Sequence, residues 1–220
     1  MVDTYPALTP ILAKDARHVP LSGVSLDVRL RARAGSKTEE AFGGFLFTHR
    51  GYSGPSVLDI SHLTERTEQP VIRAQWSPLT AADWGRELDA PNTSISTILS
   101  RHLPTRLGDH LMTEVGIPSD RRTSSLKRSD RIALIDALTA YALPWSGNEG
   151  YKKAEVTGGG VALAEVDPRT LESRKVAGLY LCGEILDAFG PIGGHNFSWA
   201  WATGRAAGLG AGRRTSAELS

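Results

Sequence analysis

The sequence is poor in cysteine, in long apolar runs and in charge of one sign. Its single cysteine, Cys182, excludes an intrachain disulfide and favours a reducing compartment. No apolar run approaches the roughly 20 residues that span a bilayer, and the first residues lack the basic and apolar regions of a signal peptide. With 25 basic and 24 acidic residues, the net charge is +1. We therefore predict a cytoplasmic protein that acts on a small molecule and binds neither nucleic acid nor membrane.

The first third of the chain has the alternation of apolar and polar residues that is typical of strands. Val24, Leu26, Val28 and Leu30 alternate with polar side chains, which predicts one buried face and one wet face. We expect strand structure over 20–60, with a turn at 34–37, and again over 70–76 and 154–163. The apolar run 176–185 predicts a strand buried on both faces, in which Cys182 is a buried small residue.

The sequence pattern of residues 80–144 instead predicts helices. Thr80 is placed to cap a helix, Pro104 to separate two helices, and Gly116 to end the second of them. Ser129 is expected to cap a further helix, with its apolar face formed by Ile132, Ile135, Leu138 and Ala142. The basic residues Arg121, Arg122, Lys127 and Arg128 have no aromatic neighbours, so we interpret them as a solvated loop.

A glycine-rich turn precedes the last helix. Gly193 and Gly194 stand before His195 and Asn196, so backbone N–H groups at a helix N-terminus are left to face a polar ligand. Further along, Ala200, Gly204, Gly208 and Gly212 recur every four residues. This ridge of small residues predicts close packing of the helix. Trp199 and Trp201 point to different sides of it, and we interpret both as core residues.

Three segments in the same order, 45-FLFTHRGYSGPSVLDIS-61, 154-AEVTGGGVALAEVDPRTLESRKVAGLYLCGE-184 and 193-GGHNFSWAWATGRAAG-208, resemble the bacterial FAD-dependent oxidoreductases of the BaiN or aminoacetone-oxidase type. The resemblance implies an α+β fold: a β-barrel-like domain with a helical insert, then a strand–loop–helix piece of a Rossmann-like FAD domain. The implied divisions are 1–78 and 146–165 for the barrel, 79–145 for the insert and 166–220 for the FAD-domain segment. The cofactor-binding residues it implies are Gly183, Glu184, Asp187, Gly193, Gly194, His195 and Asn196.

The glycine fingerprint with which this family holds the FAD pyrophosphate does not occur in the sequence. We therefore expect a truncated flavoprotein oxidoreductase whose family transfers hydride through FAD, with weak or absent FAD binding in this chain. A partner chain that supplies the missing half of the FAD domain is one possibility, and a non-catalytic remnant is another.

A serine hydrolase is the alternative enzyme. Ser53 follows a strand between glycines, and His49, His62 or His195 are the candidate bases, although Pro55 occupies the place of the second glycine in the nucleophile-elbow pattern. Of these bases, His195 is favoured because the helix dipole keeps it neutral. No metal site is predicted, because His102 and His110 are split by Pro104 and the other histidines have no partner at ligand spacing.

Overall fold

The chain forms two compact units. The computed structural model describes residues 1–14, 16–34, 37–66 and 70–218. Met1–Thr9 and Glu149–Ser220 form the smaller unit, and Pro10–Asn148 form the larger one. The sequence-based division at residues 78, 145 and 165 is finer than this one and stays a prediction. None of the helices in the described ranges is long and apolar enough to cross a membrane.

The described residues form nine strands and seven α-helices, whose bounds are as follows. The strands are β1 Val2–Ala7, β2 Ile11–Leu12, β3 Ser25–Ala34, β4 Lys37–Phe47, β5 Gly51–Ser53, β6 Val71–Gln75, β7 Tyr141–Ala142, β8 Gly147–Asn148 and β9 Val156–Gly160. The helices are α1 Pro55–Ile60, α2 Leu63–Arg66, α3 Ala81–Glu87, α4 Ile95–Leu99, α5 Thr105–Glu114, α6 Arg128–Thr139 and α7 His195–Glu218. The α+β fold class is confirmed.

A seven-stranded antiparallel sheet organises the larger unit, with the order β7-β6-β3-β4-β5-β2-β8. The predicted alternation along β3 is confirmed: Val28 and Leu30 are buried, whereas Arg31 is exposed and its Nε donates to Glu40 Oε1 at 2.7 Å. Phe45, Phe47, Tyr52 and Trp76 form an aromatic core with adjacent ring centroids 4.9–5.8 Å apart. Between β3 and β4, Gly35 and Ser36 of the predicted turn lie outside the described residues.

Three predictions about the ends of helices in this unit are confirmed. Thr80 caps α3 in a capping box, because its hydroxyl accepts from the N–H of Asp83 and the Asp83 carboxylate accepts from the N–H of Thr80. Pro104 separates α4 from α5. Gly116 ends α5 with a φ of 73°, and the N–H groups of Gly116 and Ile117 donate to Thr113 O and Met112 O in a Schellman motif.

Other expectations for the larger unit are wrong. Helix α6 begins at Arg128 with Lys127 as its cap, so Ser129 lies inside the helix. Its buried residues are Leu134, Ala137 and Leu138, whereas Ile132 is 60% exposed. This face packs in the core cluster that contains Trp76, whose backbone N–H and Nε1 donate to Leu138 O at 3.2 Å and Ala137 O at 3.1 Å. Residues 55–60 form α1 and not a strand, because Gly54 turns the chain with a φ of 98° and Pro55 starts a helix.

The smaller unit combines the antiparallel pair β1–β9 with the long helix α7. The strand predicted over 176–185 is wrong, and Cys182 is exposed. This segment makes a local hairpin instead, in which Leu181 N donates to Leu171 O and Ser173 N donates to Leu179 O. Val176 is 54% exposed and Leu179 is 42% exposed, because within the described part of this unit no sheet covers them.

The predicted close packing of the glycine ridge on α7 is also wrong within the described ranges. A Cβ added at Gly204, Gly208 or Gly212 would meet nothing within 4 Å. The packed face is a different one, on which Ala207 is buried and a Cβ at Gly210 would lie 2.8 Å from Thr170 O. The ridge therefore belongs to the open face of the helix.

Candidate functional site

A cavity of about 430 Å³ lies at the N-terminal end of α7, in the smaller unit. Its wall is formed by Glu155 and Val156 at the start of β9, Glu184 of the 183–185 turn, the loop before α7 and the first two turns of the helix. Four of the predicted cofactor residues line it, namely Glu184, Gly193, Gly194 and Asn196. Aromatic rings from Phe189, Phe197 and Trp199 supply much of the remaining wall.

The other three predicted residues lie beside the cavity. Gly183 is buried behind the wall, Asp187 is half-buried with its backbone N–H donated to Val161 O, and His195 is exposed at the start of the helix. Among the described residues none of the three lines the cavity. Their role in cofactor binding stays a prediction.

The turn before α7 requires glycine. Gly193 and Gly194 have φ values of 111° and 92°, which side chains other than hydrogen rarely allow. Ser198 N donates to Gly194 O at 3.1 Å, so the helical hydrogen bonds start here and the earlier N–H groups point along the helix axis. The helix dipole adds about half a positive charge at this end.

The loop that leads into this turn is fixed by Asn196. Its Oδ1 accepts the N–H of Gly190 at 2.8 Å, and its Nδ2 donates to Gly190 O at 3.0 Å. The amide is therefore used in holding the loop against the helix. Asn196 positions the cavity wall rather than offering a free side chain to a ligand.

Gly183 joins the opposite wall to the same helix. Its N–H donates to Thr203 Oγ1 at 2.9 Å, and its carbonyl accepts from Trp199 Nε1 at 3.2 Å. Glu184, next in the chain, accepts the N–H of Thr157 at 2.6 Å and so ties the turn to β9. Trp199 is thereby held at the edge of the cavity.

The charge of the cavity favours a neutral polar ring over a phosphate. Its ionisable lining residues are two acids, Glu155 and Glu184, and no lysine or arginine of the described chain lines it. Donors come from backbone N–H groups at the start of α7. A diphosphate would meet two carboxylates here with only a helix N-terminus to offset them.

One face of α7 is apolar and open. Phe197 is 73% exposed and Trp201 is 78% exposed, and both lie on the side of the helix that carries Gly204 and Gly208. Core packing was the favoured interpretation of both tryptophans. It is confirmed for Trp199, which packs against a buried cluster that contains Leu186, and it is wrong for Trp201 within the described residues.

Comparison with protein-family models identifies residues 5–156 as an HI0933-like protein barrel and H2TH domain. The chain belongs to the HI0933-like family. This family lies within the flavoprotein, FAD-dependent oxidoreductase superfamily. The match therefore supports the resemblance to FAD-dependent oxidoreductases found in the sequence.

Three curated relatives of this HI0933-like chain are similar to it over most of its length. It is 40% identical to the ribosomal RNA dihydrouridine synthase of Escherichia coli over 83% of the chain and 45% of the relative. It is 37% identical to that of Haemophilus influenzae over 88% and 48%. It is 34% identical to the 3-dehydro-bile acid delta(4,6)-reductase of Clostridium scindens over 95% and 54%. The chain thus spans about half the length of these relatives.

The geometry does not support the hydrolase alternative. Ser53 is half-buried in β5, and no imidazole among the described residues of its unit hydrogen-bonds to its Oγ. His49 is exposed, and His62 is engaged with Asp59 O at 3.1 Å and Glu39 Oε2 at 3.1 Å. His195 belongs to the other unit. Nucleophilic catalysis requires a base within about 3 Å of the hydroxyl, and the described residues of its own unit offer Ser53 none.

Sequence reasoning missed one cluster of ligand-type side chains in the larger unit. His18, His110 and Glu114 each offer one ligand atom, and these atoms lie within 4.8 Å of one another. Spacing could not show this, because His18 comes from the turn Ala16–Leu21 and the other two from α5. Only the positions of His110 and Glu114, one helical turn apart, give a signal in the sequence.

Proposed function

We propose that this chain provides the barrel, the helical insert and one flavin-facing wall of an FAD-dependent oxidoreductase. The observation that carries the proposal is the cavity of about 430 Å³ at the start of α7, walled by Gly193, Gly194 and Asn196. Its volume lies within the usual range for small-molecule sites, about 300–1,000 Å³.

The lining residues fit the isoalloxazine ring of the cofactor and not its diphosphate. Backbone N–H groups at the helix N-terminus suit the polar ring edge, and Phe197 and Trp199 suit its apolar face. Bound FAD would supply two-electron hydride transfer. Here the chain's residues orient the ring edge and exclude water from one side of it.

The names of the relatives support a reaction class. Dihydrouridine carries two more hydrogens than uridine, and a delta(4,6)-reductase acts on ring double bonds. Each name implies the net addition of two hydrogens to a ring, which one hydride and one proton would supply. We propose that the complete enzyme reduces a carbon–carbon double bond in a flat, unsaturated ring.

The net charge of +1 supports a small-molecule substrate for this chain, and an RNA uridine is the competing candidate on the strength of the relatives' names. A cytoplasmic location, which the low cysteine content supports, is part of the same proposal.

The open face of α7 is where we propose that the remaining half of the FAD domain packs. Phe197 and Trp201 present two large aromatic rings beside a ridge of glycines that permits close backbone approach. That half, in another segment or a partner chain, would supply the diphosphate site.

Riboflavin tests the cavity, because it carries the ring and lacks the diphosphate. We expect the chain to quench riboflavin fluorescence with measurable, weak affinity, and Gly194→Ala to reduce that affinity because a Cβ at a φ of 92° strains the turn. Gly23→Ala is the matched control, since Gly23 has a φ of 85°, equally open space and a place in the larger unit. Equal affinities for both variants would place riboflavin elsewhere and reject this site.

The reaction class has its own test. Under anaerobic conditions, we expect chemically reduced riboflavin bound to the chain to be reoxidised by a ring compound with a conjugated double bond. The same compound with that bond already saturated is the control. Equal reoxidation by both compounds, or by neither, would contradict the reductase proposal.

A further inference from the structure

A second polar site lies inside the larger unit, between the turn Ala16–Leu21 and α5. His18 is 4% exposed, and its ring centroid is 5.3 Å from that of His110. On α5, Glu114 follows His110 by one turn, with their Nε2 and Oε1 atoms 3.6 Å apart. Within the described chain, both of these atoms are buried and neither has a hydrogen-bond partner, although Arg17 Nη1 lies 3.1 Å from Glu114 Oε1 as an ion pair. Burying such groups unsatisfied is costly, so the pair calls for an explanation.

Hydrogen bonding sets the tautomer of His18. Tyr52 Oη donates to Pro144 O at 3.0 Å, so it accepts from His18 Nδ1, which lies 2.5 Å away. The proton of the neutral imidazole is then on Nδ1, and Nε2 carries the lone pair, 2.8 Å from Tyr141 Oη. A metal-ligating histidine is commonly arranged this way, with its other N–H donated to a fixed acceptor that sets the ring orientation.

We propose that His18, His110 and Glu114 form a divalent transition-metal site, with Zn²⁺ as the best-matched ion. Two imidazoles and one carboxylate, with a fourth position left for water, are a common zinc ligand set. Metal–ligand bonds of about 2.0–2.2 Å place tetrahedral ligand atoms about 3.3 Å apart. The present atoms lie within 4.8 Å, so modest side-chain rotations bring them together.

Two neighbours compete with the metal. Tyr141 must give up its hydrogen bond to His18 Nε2. Arg17 Nη1 lies 3.1 Å from Glu114 Oε1, close enough for an ion pair but without hydrogen-bond alignment, and its side chain is 64% exposed. Because Arg17 reaches the cluster from solvent, it can swing away when a cation enters. Its positive charge opposes the metal, so removing it should strengthen binding.

Co²⁺ titration of the full chain, stripped with a chelator beforehand, tests the proposal. We expect one Co²⁺ per chain with the visible absorption of a tetrahedral site. Both His110→Gln and Glu114→Gln should abolish this absorption at equimolar Co²⁺. Tyr52→Phe, which removes the acceptor of His18 Nδ1–H, should weaken binding by about 10–100-fold. Arg17→Gln should tighten it.

His102→Gln is the matched control. His102 Nε2 lies 3.5 Å from Glu87 Oε2, so it forms a similar histidine–carboxylate pair without a third ligand. This variant should keep the Co²⁺ spectrum. The proposal is overturned if no stoichiometric Co²⁺ binds to the folded chain, or if the spectrum persists in His110→Gln and Glu114→Gln, with folding followed by circular dichroism. Neither readout depends on flavin.

Discussion

The amide of Asn196 forms two hydrogen bonds with a single residue, Gly190, through both its N–H and its carbonyl. Gly190 lies six positions before Asn196 and admits no larger residue, because a Cβ there would lie 2.8 Å from the Cβ of His195. The loop between them therefore returns tightly onto the helix that follows. The shape of the candidate cavity depends on this closure.

Asn196→Asp should loosen the loop without changing the size of the side chain. A carboxylate keeps the acceptor for Gly190 N–H but faces Gly190 O without a donor. We expect faster deuterium exchange over 190–194 and about fivefold weaker riboflavin binding, as for the loss of one hydrogen bond of about 1 kcal/mol. Ser198→Ala, an exposed change on the same helix, should alter neither measurement. Unchanged exchange in Asn196→Asp would mean that the loop is held by other contacts.

The sequence predicted correctly those features of the fold that depend only on neighbouring residues, such as the ends of helices. Thr80, Pro104 and Gly116 act through their own backbone or nearest neighbours, and the structure confirms all three. The rotation of α6 could not be predicted, because the face that carries Leu134 and Leu138 packs in a core cluster with residues distant in the sequence, among them Trp76.

The candidate site was predicted in part, for the same reason. The Gly193–Gly194 turn is a local signal, and both residues line the cavity. The run 176–185 was misread, because a short apolar stretch does not reveal whether a sheet covers it. His18 and His110 are brought together by tertiary packing, so their spacing in the sequence carried no information.

Gly116→Ala should destabilise the larger unit by about 1 kcal/mol, because a φ of 73° in the Schellman motif is unfavourable for alanine. Gly85→Ala is the matched control within α3. Its added Cβ would contact only Arg131 Nη2, at 3.8 Å, so the gain in helix propensity should stabilise the protein by up to about 1 kcal/mol. Urea unfolding measures both changes. Equal shifts of the same sign would show that the left-handed conformation at Gly116 contributes nothing specific.

The Thr80–Asp83 capping box predicts a dependence on pH. Hydrogen bonds from the Thr80 hydroxyl and backbone N–H, followed by the nearby Arg86 charge, hold the pKa of the Asp83 carboxyl below its usual value. The box therefore stabilises the folded state above the pKa of the unfolded chain, and this contribution is lost as the pH falls through the lower folded pKa. NMR titration should show the pKa rising toward its usual value in Thr80→Ala and staying low in Thr80→Ser. A pKa that does not respond to Thr80→Ala would assign the shift to Arg86.

The described wall of the cavity carries two acids and no basic side chain, which predicts how this chain distinguishes flavins. We expect the purified chain to be colourless, and to bind FAD no more tightly than riboflavin, because no described residue of the cavity cradles a diphosphate and Glu155 and Glu184 repel one. Fluorescence titration with riboflavin, FMN and FAD measures this order. Glu155→Gln removes one negative charge from the wall, so it should raise the affinities for FMN and FAD relative to the affinity for riboflavin. A yellow protein with stoichiometric FAD after gel filtration would contradict the prediction and require a diphosphate site within this chain.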